Sequence, residues 1–231
     1  MFLNFSLFAG VLASATHVIS GPDHLAAVTP LAVESKKKAW KVGLAWGLGH
    51  VMGMLVIGLL FLLFKDYIPV DEISGYSEKL VGLILIIIGL WVFYKIFRKD
   101  KNQKLPHFHT DKEPFVHVHG QDDGYGHKHE KQVKQHVTSS FAIGLLHGLA
   151  GIAHFLLLLP ILSFETKAES VLYLIGFGIG TVLVMMLYAF ILGRITIFTR
   201  EEHNPIFFKG IQFASGLFAV IIGVYWLYLT Y

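Results

Sequence analysis

The chain contains no cysteine among its 231 residues. Disulfides, iron–sulfur clusters, thiolate metal sites and membrane electron carriers that work by dithiol exchange are therefore excluded. Charge is scarce too. Asp, Glu, Lys and Arg make up 15% of the chain, against about 25% in a typical soluble domain. With 54% hydrophobic residues and a mean hydropathy of +0.59, the composition points to lipid as the main solvent. Inside the apolar stretches the shortage is sharper. Asp23 is the one carboxylate deep in such a stretch, and no Lys or Arg lies deep in any of them. No paired carboxylate, serine nucleophile or soluble domain supports an enzyme.

What the chain has in quantity is histidine, thirteen in all. Seven lie between His107 and His136, in the most polar stretch. Five more (His17, His24, His50, His147 and His154) fall in strongly apolar stretches, and His203 sits in a short polar link.

A bilayer-crossing helix needs about 20 apolar residues. Six candidates run over 5–33, 42–64, 80–97, 140–164, 171–192 and 207–229. The expected fold class is an all-α integral membrane protein with six transmembrane helices. The first run is longer than one span, which predicts a break within it. "ASA" at Ala13–Ala15 resembles a signal-peptide cleavage site, but no Lys or Arg precedes it, which argues against cleavage. Lys and Arg divide 3 to 16 between the two sides of such a bundle. The positive-inside rule then places both termini outside and the long histidine loop in the cytoplasm of a multi-pass cell-membrane protein.

The halves repeat. A shift of 130 lays His17 on His147, Gly21 on Gly151, His24 on His154 and Pro30 on Pro160. A shift of 129 lays "WGLGHVMGM" on "IGFGIGTVL", and Gly82 and Gly89 match Gly216 and Gly223. Three helices per repeat means that the second enters the membrane from the opposite face, an inverted repeat. That design is common in secondary transporters, with the site near the midplane where the repeats meet. The expected organisation is a first three-helix repeat over 1–97, a cytoplasmic His-rich loop over 98–139 and a second repeat over 140–231.

The stretch "HVISGPDHLAAVTP" carries the chemistry. An ionised Asp at the centre of a membrane helix costs about 3 kcal/mol. Asp23 therefore needs a cation, a proton or a partner. On an unbroken helix His17 and His24 share a face but stand about 10 Å apart along the axis, too far for one ion bound at about 2 Å. Either other helices supply ligands or the helix breaks. Gly21-Pro22 suits a break, because proline cannot continue the preceding ladder and fits the first turn of a new helix. Ser20 is placed to cap that start. The expected metal ligands are Asp23 and His24, with His17 and His50 in or next to the coordination sphere and His147 and His154 opposite. Glycines around His50 allow another helix to approach. The bland reading of a lone intramembrane histidine such as His50 or His147 is a hydrogen bond tying two helices. Imidazole and carboxylate without sulfur suit Ni, Co, Zn or Fe(II) and argue against Cu(I).

The loop adds three His-x-His pairs every ten residues: His107/His109, His117/His119 and His127/His129. In an extended chain alternate residues point the same way. Each pair can then chelate an ion and serve as an auxiliary metal site that collects or senses it.

"HVISGPDHLAAVTPLAV" resembles the signature helix of nickel/cobalt permeases, particularly their urease-accessory (UreH-like) branch, with His17, Asp23 and His24 on the matching positions. The resemblance implies a polytopic transporter of Ni(II), Co(II) or a related ion, with those three residues needed for transport. The sequence departs from the larger permeases in the five residues between His17 and Asp23 and in having six helices. The expected function is transport of a divalent transition-metal ion by alternating access, with the ion as substrate and no prosthetic group. Its partners are the ion and the bilayer, not nucleic acid, and a homo-oligomer is compatible with the sequence. Two other classes stay open at this point. One is a proton-coupled exporter of a small organic or anionic solute, with Asp23 as proton carrier. The other is a membrane haem protein using His17, His50, His147 and His154, which leaves Asp23 unexplained.

Overall fold

The apolar runs fold into helices because a backbone in lipid must satisfy its polar groups internally. The computed structural model describes residues 2–64, 70–98, 107–108, 116–117, 127–150, 164–201 and 205–229. Seven α-helices occur among them: α1 (Phe2–Ser20), α2 (Pro22–Ser35), α3 (Ala39–Phe64), α4 (Val70–Phe97), α5 (His127–Ala150), α6 (Lys167–Glu201) and α7 (Pro205–Leu229). A single 3-10 turn, Lys36–Lys38, links α2 to α3. Lys36 there has a φ of 50°, a positive value taken without a glycine.

The expected break is present. α1 ends at Ser20 and α2 starts at Pro22, with Gly21 extended between them at φ −90° and ψ 92°. The cap expected from Ser20 is not formed. The Ser20 hydroxyl turns back to the His17 carbonyl at 3.3 Å, and Gly21 occupies the N-cap position without a side-chain bond. Ser20 is still the last helical residue of α1, so its side chain satisfies that helix rather than the next.

Helices α3, α4, α6 and α7 contain the expected runs 42–64, 80–97, 171–192 and 207–229. Four stretches of the described residues are long and apolar enough to cross a membrane: Pro22–Leu60, Glu78–Phe97, Lys167–Phe198 and Ile206–Tyr228. Residues 5–20 form a shorter apolar helix. The fourth expected run can be followed only to Ala150. His154, Gly151 and Pro160 lie outside the described residues, as do His109, His119 and His203.

The loop holds a two-residue antiparallel pairing, His107–Phe108 with Val116–His117, in which His107 stands opposite His117. His127 and His129 are instead in the first turn of α5. The backbone at that third pair is helical, not the extended chain expected there.

Lipid faces are explicit. Leu55, Leu59 and Leu63 on α3, Leu83, Ile87 and Leu90 on α4, and Ile179, Leu183 and Leu187 on α6 are all exposed. They recur at the three-to-four residue spacing of a helix stripe. The interior is built from small residues and glycine contacts instead. An added Cβ on Gly49, Gly53, Gly144 or Gly148 would lie 2.2–2.4 Å from a backbone oxygen of the facing helix, so α3 and α5 touch backbone to backbone. Ser140 reinforces that contact by donating to the Val42 carbonyl at 2.8 Å. α1 packs mainly on α6, and α4 mainly on α7.

Candidate metal centre

The helix break and the α3–α5 contact converge on one point. Gly21 N–H donates to the His17 carbonyl at 3.0 Å, and His24 N–H donates to the Gly21 carbonyl at 3.1 Å. This tight connection folds His24 back beneath the end of α1. Only glycine leaves room for it. A Cβ on Gly21 would meet His24 Nδ1 at 2.1 Å and Asp23 Oδ1 at 3.1 Å. The rings of His17 and His24 accordingly sit 4.5 Å apart, centre to centre. The break removes the separation an unbroken helix would impose.

α3 supplies His50, whose ring lies 5.1 Å from that of His24 and 6.0 Å from that of His17. α5 supplies His147, 4.7 Å from the His24 ring. His147 Nε2 donates to Asp23 Oδ2 at 2.9 Å, and the other carboxylate oxygen is 3.8 Å from His24 Nδ1. All five residues are buried: His50 is fully enclosed and His17, the most accessible, is 7% exposed.

Two groups of three have ligand atoms mutually within 4.8 Å: His17, His24 and His50, and Asp23, His24 and His147. Ligands on opposite sides of an ion bound at about 2.1 Å stand about 4.2 Å apart. Small side-chain rotations therefore suffice to gather either group around one ion. The first group is imidazole alone, the second includes the carboxylate, and His24 belongs to both.

Of the six histidine and aspartate positions expected at the centre, the structure brings together Asp23, His24, His17, His50 and His147. Trp46 was not anticipated. It is fully buried, stacks on His50 at 4.8 Å with the planes 13° apart, and touches His24 and His147 with centroids at 5.4 and 5.5 Å. The signal was its place four residues before His50, on the same helix face. Phe177 of α6 closes the His17 side at 5.8 Å.

A family model described as "Cytochrome C biogenesis protein transmembrane region" matches residues 7–226. The chain belongs to that family. Three curated proteins are similar to the chain. Chloroplast protein FOR GROWTH AND FERTILITY 2 of Arabidopsis thaliana is 33% identical over 224 residues, covering 95% of this chain and 55% of that protein. Chloroplast protein FOR GROWTH AND FERTILITY 1 of the same plant is 31% identical over 224 residues, covering 95% and 58%. The chain thus spans little more than half the length of these two relatives. Urease accessory protein UreH of Bacillus sp. (strain TB-90) is 33% identical over 213 residues, covering 90% of this chain and 84% of that protein. The resemblance to a UreH-like branch is borne out by that match. No solved structure matches the chain. Family membership and the apolar helices together make this a multi-pass membrane protein.

Proposed function

We propose that the chain carries a divalent transition-metal ion across a membrane, with Asp23, His24, His17, His50 and His147 as its intramembrane ligands and His154 as a further one. The observation that carries this reading is the gathering of one carboxylate and four imidazoles, all buried, at a helix break inside an apolar bundle. Burying such groups is costly in lipid unless something repays it, and a doubly charged ion does so directly. The donor set is nitrogen and oxygen only, which suits Ni, Co, Zn or Fe(II). The similarity to UreH and the permease-like motif at His17, Asp23 and His24 favour nickel or cobalt. With no cysteine in these 231 residues, no thiol–disulfide step runs on them.

Alternating access rests on an inverted repeat, and the packing supports one. A two-fold operation that exchanges α1 with α5, α3 with α6 and α4 with α7 turns the α1–α6 contact into the α3–α5 contact, and both are among the most extensive in the bundle. Gly82 corresponds to Gly216 and Gly89 to Gly223 in sequence, yet a Cβ on Gly82 would meet the Gly223 carbonyl at 2.8 Å and one on Gly89 the Gly216 carbonyl at 2.5 Å. Such crossed partners are what a two-fold axis between α4 and α7 requires. The ion then sits between the repeats, near the midplane, and rocking of one against the other exposes it to each side in turn. Release follows protonation of the ligands, which must be deprotonated to hold a metal. The charge bias of the links supports a cytoplasmic position for the histidine-rich segment.

The test is uptake of Ni, Co, Zn, Fe(II) and Mn into proteoliposomes by wild type and Asp23→Asn. Transport of one of these ions by wild type and its loss in Asp23→Asn is the expected result. Equal transport by both, or by neither, overturns the reading.

A further inference from the structure

A second carboxylate–imidazole pair lies outside the central cluster, and it repeats the first in register. Glu34 follows Asp23 on α2 by eleven residues, and His136 precedes His147 on α5 by eleven. Eleven residues make about three turns and about 16 Å, so each outer residue returns to the helix face of its inner counterpart. His136 Nε2 stands 3.6 Å from Glu34 Oε2, just as His147 Nε2 stands 2.9 Å from Asp23 Oδ2. The same two helices therefore present the same two ligand types at two depths. Between the levels, Ala27, Leu85, Ile143 and His147 help enclose a cavity of about 10 Å³, the space of roughly one water centre.

The outer pair sits at the end of the bundle where α4 leaves for the histidine-rich segment and α5 returns from it. It is built, not incidental. The Glu34 side chain is 6% exposed and that of His136 is 7%. Glu34 Oε1 is buried with no hydrogen-bond partner among the described residues. Ser35 Oγ lies 3.1 Å from His136 Nδ1 and orients the ring so that Nε2 faces the carboxylate, as outer partners do for metal-binding histidines. Glu34 Oε2 already holds a cation, the ammonium of Lys95. Lys95 comes from α4, rides over the Trp91 ring at 4.6 Å and is one-third exposed. Its flexible stem can swing that ammonium out to solvent.

We propose that Glu34 and His136 form a second divalent transition-metal site at this mouth, with the Lys95 ammonium as the resident cation that an entering ion displaces. Nitrogen and oxygen ligands side by side on one ion at about 2.1 Å lie about 3.0–3.4 Å apart, so the pair needs to close by a few tenths of an ångström. The unused Glu34 Oε1 gives the carboxylate a second contact, and water completes the coordination. The role of this site as a waystation between the histidine-rich segment and the centre rests on the transport reading above; the binding itself does not.

The experiment is equilibrium dialysis of Ni(II) against the full-length chain in nanodiscs, with His107, His109, His117, His119, His127 and His129 replaced by Gln. Two ions per chain are expected. Glu34→Gln and His136→Asn each remove one and leave the Asp23-dependent ion in place. Lys95→Met tightens the outer ion at least tenfold, a gain that misfolding cannot imitate. An unchanged ion count in Glu34→Gln and His136→Asn, with unchanged affinity in Lys95→Met, overturns the proposal. If Glu34→Gln removes an ion and Asp23→Asn removes none, the outer site stands and the central one falls. The opposite pattern keeps the centre and sinks the outer site.

Discussion

Gly21→Ala separates the architecture of the metal centre from the stability of the fold. The backbone there, at φ −90° and ψ 92°, is open to alanine, and glycine-to-alanine changes at such positions stabilise by about 0.4–1 kcal/mol through the unfolded chain. The added methyl, however, would lie 2.1 Å from His24 Nδ1. Ordinary contact begins near 3.4 Å, so the imidazole must retreat by about 1.3 Å. The obstructed atoms belong to a side chain and not to a facing backbone, so the imidazole is what must shift. His24 is the residue common to both three-ligand groups, so its displacement weakens each. Loss of correct support for a metal-binding histidine typically costs about 10- to 100-fold in affinity. Nickel or cobalt binding, measured by dialysis alongside thermal unfolding of the metal-free chain, is therefore expected to weaken by about that factor while the unfolding temperature holds or rises. Wild-type affinity in Gly21→Ala would refute the placement of His24 as a ligand.

Two other changes act on the scaffold. Gly148→Val drives a side chain against the His50 carbonyl, 2.2 Å from the added Cβ. It is expected to cost about 1–3 kcal/mol and to lower the unfolding temperature, because the obstacle is backbone; an unchanged temperature contradicts the close α3–α5 contact. Burial pushes His136, which precedes the apolar part of α5, below its usual 6.5, with Glu34 pulling it up and Lys95 pushing it further down. The folded chain then binds fewer protons than the unfolded one below that pH, so the stability present above about 6.5 is lost on acidification. The metal-free wild type should lose thermal stability between about pH 7.5 and 5.5 more steeply than His136→Asn, and equal slopes would refute the burial argument.

Much of this was legible because it is written in local chemistry. Gly-Pro in an apolar run forces a helix break, and a lone buried aspartate demands a counter-charge, so Gly21, Pro22 and Asp23 marked the site. The glycines beside His50 marked the close approach of a facing helix. Other features depend on contacts between distant segments. Glu34 stands one residue past the expected first run, and its partners Lys95 and His136 are 61 and 102 residues away, so nothing local announces the cluster they form. Trp46 stands four residues before His50, but only the fold stacks it on that ring. Ser20 looked like a cap because position alone cannot tell which of two adjoining helices a hydroxyl serves. His127 and His129 share the His-x-His spacing of their neighbours, but α5 extends back to include them.

The proposed function requires an ion held between α2, α3 and α5, and diffraction can locate it. Crystals of the full-length chain grown with Co(II) and measured at the cobalt edge are expected to show an anomalous peak about 2.0–2.2 Å from an Asp23 oxygen or a ring nitrogen of His24, with further histidines of the cluster around it. A map in which cobalt appears at the loop histidines alone, with none beside Asp23 and His24, would contradict it.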